Sequence, residues 1–395
     1  MKALIAGGGI AGMTAALCLA RAGWEVEVYE QAEALAEIGA GLQLSPNVCR
    51  VLERLDLLPA LRERASTPEF AELRSGQSGR LVHRTELGPA AEARWGAPYL
   101  HVHRADLLDV LAEAAEEAGA SLHLGQQGVD ASSDPERAVL HLQDGGRVEG
   151  DLLIGADGIR SRLRGAIGGG GSPRYAGQLA WRGLVAAESV RPDAVPMGAT
   201  VWMGPGRHLV CYPVRGGELI NFIAVVDRHG WAEDGWRQPG DPNALRAAFA
   251  EWADPVPHFL DAVTDCFLWG LFERPDQPHW VNGRIALIGD AAHPMKPFLA
   301  QGAGMAIEDA GALEHFLTDS GDIPRALKRW ELARRPRVSR VVARSEANGR
   351  LFHMEHGVAR MFAHGGLGAL GRLAPRLVTA QLDWLYGHDV RRVRG

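Results

Sequence analysis

Residues 2–31 constrain the fold more than any other part of the chain. Ala3-Leu-Ile-Ala6 is a short apolar run that leads into Gly7-Gly-Gly9-Ile-Ala-Gly12. A helical stretch follows to Ala22 and stops at Gly23; Trp24-Glu-Val-Glu-Val-Tyr29 then alternates as a strand does and ends at Glu30. Strand, G-x-G-x-x-G, helix, strand and terminal acid together form the dinucleotide-binding fingerprint of a parallel α/β sheet. In that pattern Gly7 permits the tight turn, Gly9 lets the backbone approach a pyrophosphate, and Gly12 lets the helix pack on the strand. The helix N-terminus offers free N–H groups and the positive end of its dipole to phosphates. Glu30 lies 18 residues after Gly12, where it can accept from both adenosine ribose hydroxyls and would repel a 2′-phosphate. The nucleotide expected here is therefore not NADP, but this motif does not separate FAD from NAD.

Two later segments bear on that choice. Asp151-Leu-Leu-Ile-Gly-Ala-Asp157-Gly158 is a buried-type strand running into an acid and a glycine. Arg284-Ile-Ala-Leu-Ile-Gly289-Asp290 repeats the pattern, and after a proline-containing turn a helix opens at Gln301-Gly302. In a parallel α/β sheet such strand ends face one crevice, where ligands bind. An aspartate there can accept from a polyol, and a helix N-terminus can stabilise an anionic ring. A ribityl chain and a redox ring need both; NAD needs neither. The expected cofactor is FAD.

Composition excludes other classes. The chain has 395 residues, enough for two or three domains or one large domain with an insertion. Apolar residues make up 46% and charged residues 23%, which rules out disordered and fibrous proteins. Net charge is 42 − 48 = −6, so no nucleic-acid or membrane partner is expected. The nine Lys/Arg against two Glu between Arg325 and Arg350 suggest a solvated helix face. Cys18, Cys49, Cys211 and Cys266 are widely spaced, so buried reduced thiols are expected and no metal site. The opening MKALIAGGGIAGM resembles neither a signal nor a transit peptide, and a cytoplasmic location is expected.

The expected architecture is α/β: a Rossmann-like FAD-binding domain with an inserted β-sheet substrate domain and C-terminal helices. Gly168–Gly171 followed by Ser172-Pro173 marks an exit from the first domain, and the stretch from Tyr175 to about Cys266 is strand-rich. The FAD domain is assigned to 1–75, 98–174 and 267–345, the substrate domain to 76–97 and 175–266, and a helical segment to 346–395.

Taken together, the Gly7–Gly12 fingerprint, Asp157-Gly158 and Gly289-Asp290 resemble the three motifs of the single-component FAD-dependent aromatic hydroxylases, the para-hydroxybenzoate hydroxylase type. Gly39–Asn47, His101–Leu107, Ala180–Gly183, Gly204–Arg215 and Asp383–Gly387 resemble in particular the salicylate hydroxylases, 3-hydroxybenzoate 6-hydroxylases and 6-hydroxynicotinate 3-monooxygenases. The resemblance covers nearly the whole chain. It implies that Glu30 holds the adenosine ribose, that Arg104 reaches the pyrophosphate region, and that Asp157 contacts FAD. It also implies that Asp290 holds the ribityl hydroxyls, with Pro297 and the helix start Gly302, Ala303 and Gly304 lining the flavin ring. His208 and Tyr212 stand where relatives place a catalytic histidine and a substrate-contacting tyrosine. The reaction implied is hydroxylation of a phenolic or other hydroxylated aromatic acid, with NADH or NADPH as reductant and O2 as co-substrate, through a flavin C4a-hydroperoxide. Such chemistry favours a base near the ring hydroxyl and a cavity shielded from water, for which Trp181, Trp202, Phe222 and Phe298 are candidates. The hydroxynicotinate enzymes tend to carry histidine where this chain has Phe298 and Gln43, which moves the expected substrate toward a hydroxybenzoate-like acid. Partners beyond that small molecule are not expected, and a monomer or homodimer is. Three other readings stay open: an FAD reductase or dehydrogenase without oxygen insertion, a hydroxylase of a larger aromatic natural product, and a flavin-bound sensor.

Overall fold

The strand Lys2–Ala6 is apolar along its length and lies inside a sheet, paired in parallel with Glu25–Glu30 on one side and Leu152–Gly155 on the other. Ser121–Leu124 extends this sheet beyond Glu25–Glu30, and Ile285–Leu287 extends it beyond Leu152–Gly155. A short strand, Val281–Asn282, closes the six-stranded sheet in antiparallel fashion. The structure, a computed structural model, describes residues 1–35, 40–195, 198–228, 230 and 238–392. Gly39, at the head of the Gly39–Asn47 stretch, lies outside them.

Register brings the motifs together. Ala6 pairs with Tyr29 and Gly155, and Gly155 pairs with Leu287. The glycine loop, Glu30, Asp157 and Asp290 therefore all leave the carboxyl edge of the sheet. Two glycines are required sterically. Gly7 has φ +110, and a Cβ there would stand 2.4 Å from the Ala156 carbonyl oxygen. A Cβ on Gly12 would stand 1.9 Å from the Gly7 carbonyl oxygen. The fingerprint helix Ile10–Arg21 packs between the helices Arg104–Glu117 and Gly302–Thr318.

Among the described residues the second sheet has eight strands, in the order Gln238–Pro239, Phe267–Glu273, Arg174–Ala186, Leu219–Asp227, Arg207–Val214, Ala199–Gly204, Phe70–Ser75, Leu81–Glu86. Only the pairing of Ala199–Gly204 with Phe70–Ser75 is parallel. Both Phe70–Ser75 and Phe267–Glu273 belong to this sheet, whereas the expected division at 75/76 and 266/267 places them with the FAD domain. Pro68 precedes the first of these strands and Pro275-Asp276 follows the second, so the turn signals lie outside the strands and not at the expected boundaries.

The sheet has two apolar faces, because side chains alternate along each strand. One face carries Trp181, Trp202, Leu209, Cys211 and Phe222 against Phe249 and Trp252 and against Phe259 of the helix Val256–Asp261. The other carries Ala180, Met203, His208 and Val225 and meets Phe298 and Phe352. Phe352 ends the 30-residue helix Ile323–Phe352, whose N-cap Asp322 accepts from the Arg325 N–H. The basic run on that helix is not wholly a solvated face: Arg334 is 1% exposed and Arg337 is 8% exposed. All four cysteines are buried and unpaired. Among the described residues, no helix is long and apolar enough to cross a membrane.

Candidate active site

The carboxyl edge of the six-stranded sheet forms a cradle. The fingerprint helix has Gly9 at its N-cap with no side chain capping its first N–H groups, and a Cβ on Gly9 would meet no atom within 4 Å. Glu30 closes the loop from the next strand: its Oε2 accepts from Gly8 N–H at 2.6 Å and its Oε1 from Ala32 N–H at 2.9 Å. A carboxylate has about four acceptor sites, so two remain for further donors. Asp157 Oδ2 takes the N–H groups of Arg162 and Leu163, while its Oδ1 is buried with no hydrogen-bond partner among the described residues. Asp290 is open to solvent, yet the protein packed around it pushes its carboxyl up against the opposing pull of His293 and Arg104. Exposure at the atom with crowding all round is the signature of a group on a cleft floor. Arg104 opens its helix beside that cleft.

Across the cleft the helix Gly302–Thr318 begins after Pro297-Phe-Leu-Ala300, with Gln301 at the N-cap and no side-chain cap. A Cβ at Gly302 would meet nothing within 4 Å, and Pro297 is exposed. Ala303 is half-buried and Gly304 is packed under Val48. Two uncapped helix N-termini, one orphaned carboxylate oxygen and one crowded but open carboxylate fit a ligand carrying phosphates, a polyol and a ring that gains negative charge. That is the donor and acceptor pattern of FAD.

The eight-stranded sheet faces this cleft with His208 and Tyr212. They lie on one side of the strand Arg207–Val214, about 13 Å apart at roughly 3.3 Å per residue. His208 is buried against the Phe298 ring, with centroids 5.2 Å apart. Tyr212 is buried beside His101, 4.7 Å between ring centroids, where Gly41 N–H donates to Asn221 Oδ1 at 2.6 Å. Gln43, on the strand Gly41–Leu44, accepts from the Tyr99 hydroxyl at 2.7 Å. Trp181, Trp202 and Phe222 are not brought to this side. They stand on the opposite sheet face, each in register with a residue of that face: Trp202 with Leu209, Trp181 with Ala224, Phe222 with Cys211. Aromatic character marked them as pocket candidates; strand parity sends them into the other core. Of the four apolar candidates only Phe298 lies beside His208.

Behind the ring-side helix is a buried charge network with no local motif. Glu308 accepts from Arg334 Nη1 at 2.7 Å, from Arg337 at 2.7 and 2.6 Å, and from Asn47 Nδ2 at 2.7 Å. Asp309 accepts from Arg334 Nε at 2.8 Å and meets His293 Nε2 at 2.5 Å. Gln301 donates to Ser45 Oγ at 2.9 Å. An acid pair in one helix against arginines spaced i, i+3 in another was the only trace in the sequence.

Several imidazoles here are neutral through burial. His101 is pushed down to about 3 and His388 to about 4 by desolvation. His208 is held well below its ordinary value by desolvation and by the neighbouring His353. The unfolded chain therefore binds more protons than the folded one once pH falls below about 6.5, and each group removes up to about 1.4 kcal/mol per pH unit. Burial alone would raise Glu308, but Arg337 and Arg334 more than offset it, so this carboxylate adds stability that is lost as pH falls below about 4.5. Both effects have one sign. Urea midpoints measured at pH 7, 6 and 5 should fall steadily, and a flat profile would contradict the burial of these groups.

A parallel sheet with this donor and acceptor pattern at its carboxyl edge, under a second, mostly antiparallel sheet, fits a flavoprotein. Comparison with known proteins agrees. A family model described as an FAD binding domain matches residues 1–345. The chain is 39% identical over 390 residues to the 3-amino-4-hydroxybenzoate 2-monooxygenase PtnB3 of Streptomyces platensis, covering 98% of this chain and 96% of that protein. It is 34% identical over 388 residues to 3-hydroxybenzoate 6-hydroxylase 1 of Aquipseudomonas alcaligenes, covering 98% and 97%. It superposes on a solved salicylate hydroxylase substrate complex with TM-score 0.83 and 28% identity, covering 99% of this chain and 96% of that one. The chain belongs to the FAD-binding-domain family and is an FAD-dependent aromatic monooxygenase.

Proposed function

We propose that the chain hydroxylates an electron-rich ring of a hydroxybenzoate-type acid, with His208 as the base that takes the proton of the ring hydroxyl. The observation that carries this reading is a buried, neutral histidine on the cleft-facing side of the sheet, in contact with the Phe298 loop that leads to the ring-side helix. Bound FAD supplies hydride acceptance from NAD(P)H and activation of O2. This chain's own residues do the rest. The backbone N–H groups after Gly9 hold the pyrophosphate with Arg104, Glu30 the adenosine ribose, and Asp157 and Asp290 the polar chain between. The N–H groups of Gly302, Ala303 and Gly304 stabilise negative charge on the ring. Phe298 and Phe352 keep water from the reacting centre. Tyr212 and Gln43 bracket the far end of the substrate.

The experiment is NADH and NADPH oxidation by the FAD-loaded protein against 3-hydroxybenzoate, 3-amino-4-hydroxybenzoate, salicylate and 6-hydroxynicotinate, with oxygen uptake and product mass followed together. A benzoate that gains one oxygen atom supports the reading. Conversion of 6-hydroxynicotinate alone would overturn the substrate class, and substrate reduction without oxygen uptake would overturn the base role.

Two variants test the parts. Asp290→Ala removes a carboxylate acceptor worth about 1.5–3 kcal/mol, so flavin titration of the apoprotein should show Kd raised roughly 10- to 100-fold; unchanged flavin content would remove Asp290 from the cradle. Phe298→His places a polar ring against His208 and should raise kcat/KM for 6-hydroxynicotinate relative to 3-hydroxybenzoate by about 10-fold. An unaltered ranking would take Phe298 out of the pocket.

A further inference from the structure

His208 is the inner end of a row of three side chains. Its Nδ1 lies 2.6 Å from His353 Nε2, and His353 Nδ1 lies 2.7 Å from Asp227 Oδ1. Both imidazoles are buried, whereas the Asp227 side chain is 37% exposed. The row thus runs from the cleft-facing side of the sheet to solvent at the end of the strand Leu219–Asp227. His353 is held on its backbone as well: its N–H donates to the Gly349 carbonyl at 3.1 Å and its carbonyl accepts from Gly206 N–H at 3.1 Å. Gln178 Nε2 donates to Asp227 Oδ1 at 2.9 Å and fixes the outer end.

The tautomers follow from this order. An ionised carboxylate only accepts, so His353 carries its proton on Nδ1 and presents a lone pair at Nε2. That lone pair receives the Nδ1–H of His208, which leaves the lone pair of His208 on Nε2, the base form. A second argument comes from the surroundings. The Phe298 and Phe352 rings stand 5.2 and 5.3 Å from the His208 ring, so a proton left there would make a cation in an apolar wall, which is costly unless it is passed on.

We propose that His353 and Asp227 are the proton outlet of His208, carrying the substrate's hydroxyl proton to solvent. This rests on the reading of His208 as the base. The O–H bond of the substrate breaks and its proton bonds to His208 Nε2, while the electron pair stays on the phenolate oxygen. The Nδ1–H proton of His208 passes to His353 Nε2, the Nδ1–H proton of His353 passes to Asp227, and Asp227 releases it to water. Nothing is oxidised or reduced. Run in reverse after turnover, the row returns one proton to the product hydroxyl and resets both imidazoles. His353 and Asp227 act through His208 and are positioning residues.

The test mixes FAD-loaded enzyme with 3-amino-4-hydroxybenzoate in weakly buffered solution containing phenol red, reading proton release by the dye and binding by flavin fluorescence. In the wild type, release keeps pace with binding. In His353→Leu and in the near-isosteric Asp227→Asn, binding persists while release slows at least 10-fold, and added imidazole restores release in His353→Ala. Release at the wild-type rate in both His353→Leu and Asp227→Asn overturns the outlet. His208→Asn separates the two ideas: if it alone abolishes release, the base stands and the outlet falls; if it releases normally, the base reading itself fails.

Discussion

His208→Asn is expected to slow substrate hydroxylation by about 10²- to 10⁴-fold, the usual contribution of a positioned general base. Flavin reduction by NAD(P)H should stay near the wild-type rate, because His208 sits on the eight-stranded sheet and not at the carboxyl edge of the six-stranded one. Asparagine keeps a side chain that can hydrogen-bond to His353 and fills much of the same volume, so the wall of Phe298 and Phe352 need not collapse. It cannot accept a proton at neutral pH. Reduced enzyme should therefore consume oxygen and release hydrogen peroxide with little hydroxylated product. Rapid mixing of each half-reaction separately checks this. Hydroxylation at the normal rate would make His208 a structural residue.

Glu308→Gln should cost about 3–5 kcal/mol, the range for breaking a buried ion pair from one side. The carboxylate is fully buried and pairs with two arginines that are themselves buried, so its loss leaves positive charge without a full set of acceptors. Asp309 still accepts from Arg334 Nε, which places the expected loss near the lower end. The effect should reach the site, because Asn47 bridges Glu308 and Gln301 at the N-cap of the ring-side helix. A lowered urea midpoint together with weaker flavin retention is the expected outcome. A change below about 1 kcal/mol would mean that the network is dispensable.

The contrast between these two sites shows what could be read from residues alone. The cradle was legible because its parts are local. Two of its three pieces are a strand followed within a few residues by glycine and acid; the first is a strand followed by the glycine loop, with its acid at the end of the next strand. Parallel register delivers them to one edge. His208 and Tyr212 were singled out only through resemblance, since a histidine after Gly-Pro-Gly-Arg carries no signal of its own. Trp181, Trp202 and Phe222 stand on the sheet face opposite His208, which aromatic content does not reveal because it does not say which face of a strand meets which layer. Glu308 with Arg334 left only the acid pair and the arginine spacing as a trace, and His208 with His353 and Asp227 left none. Their partners are 26, 145 and 126 residues apart, and no spacing rule reaches that far.

The sequence by itself determined the dinucleotide cradle, its glycines and the kind of cofactor, because backbone conformation and helix termini are set by neighbours in the chain. The tertiary structure alone decided which sheet face carries His208 beside Phe298, what holds the helix Gly302–Thr318, and which side chains His208 meets. Those depend on side chains that packing brings together across distant segments.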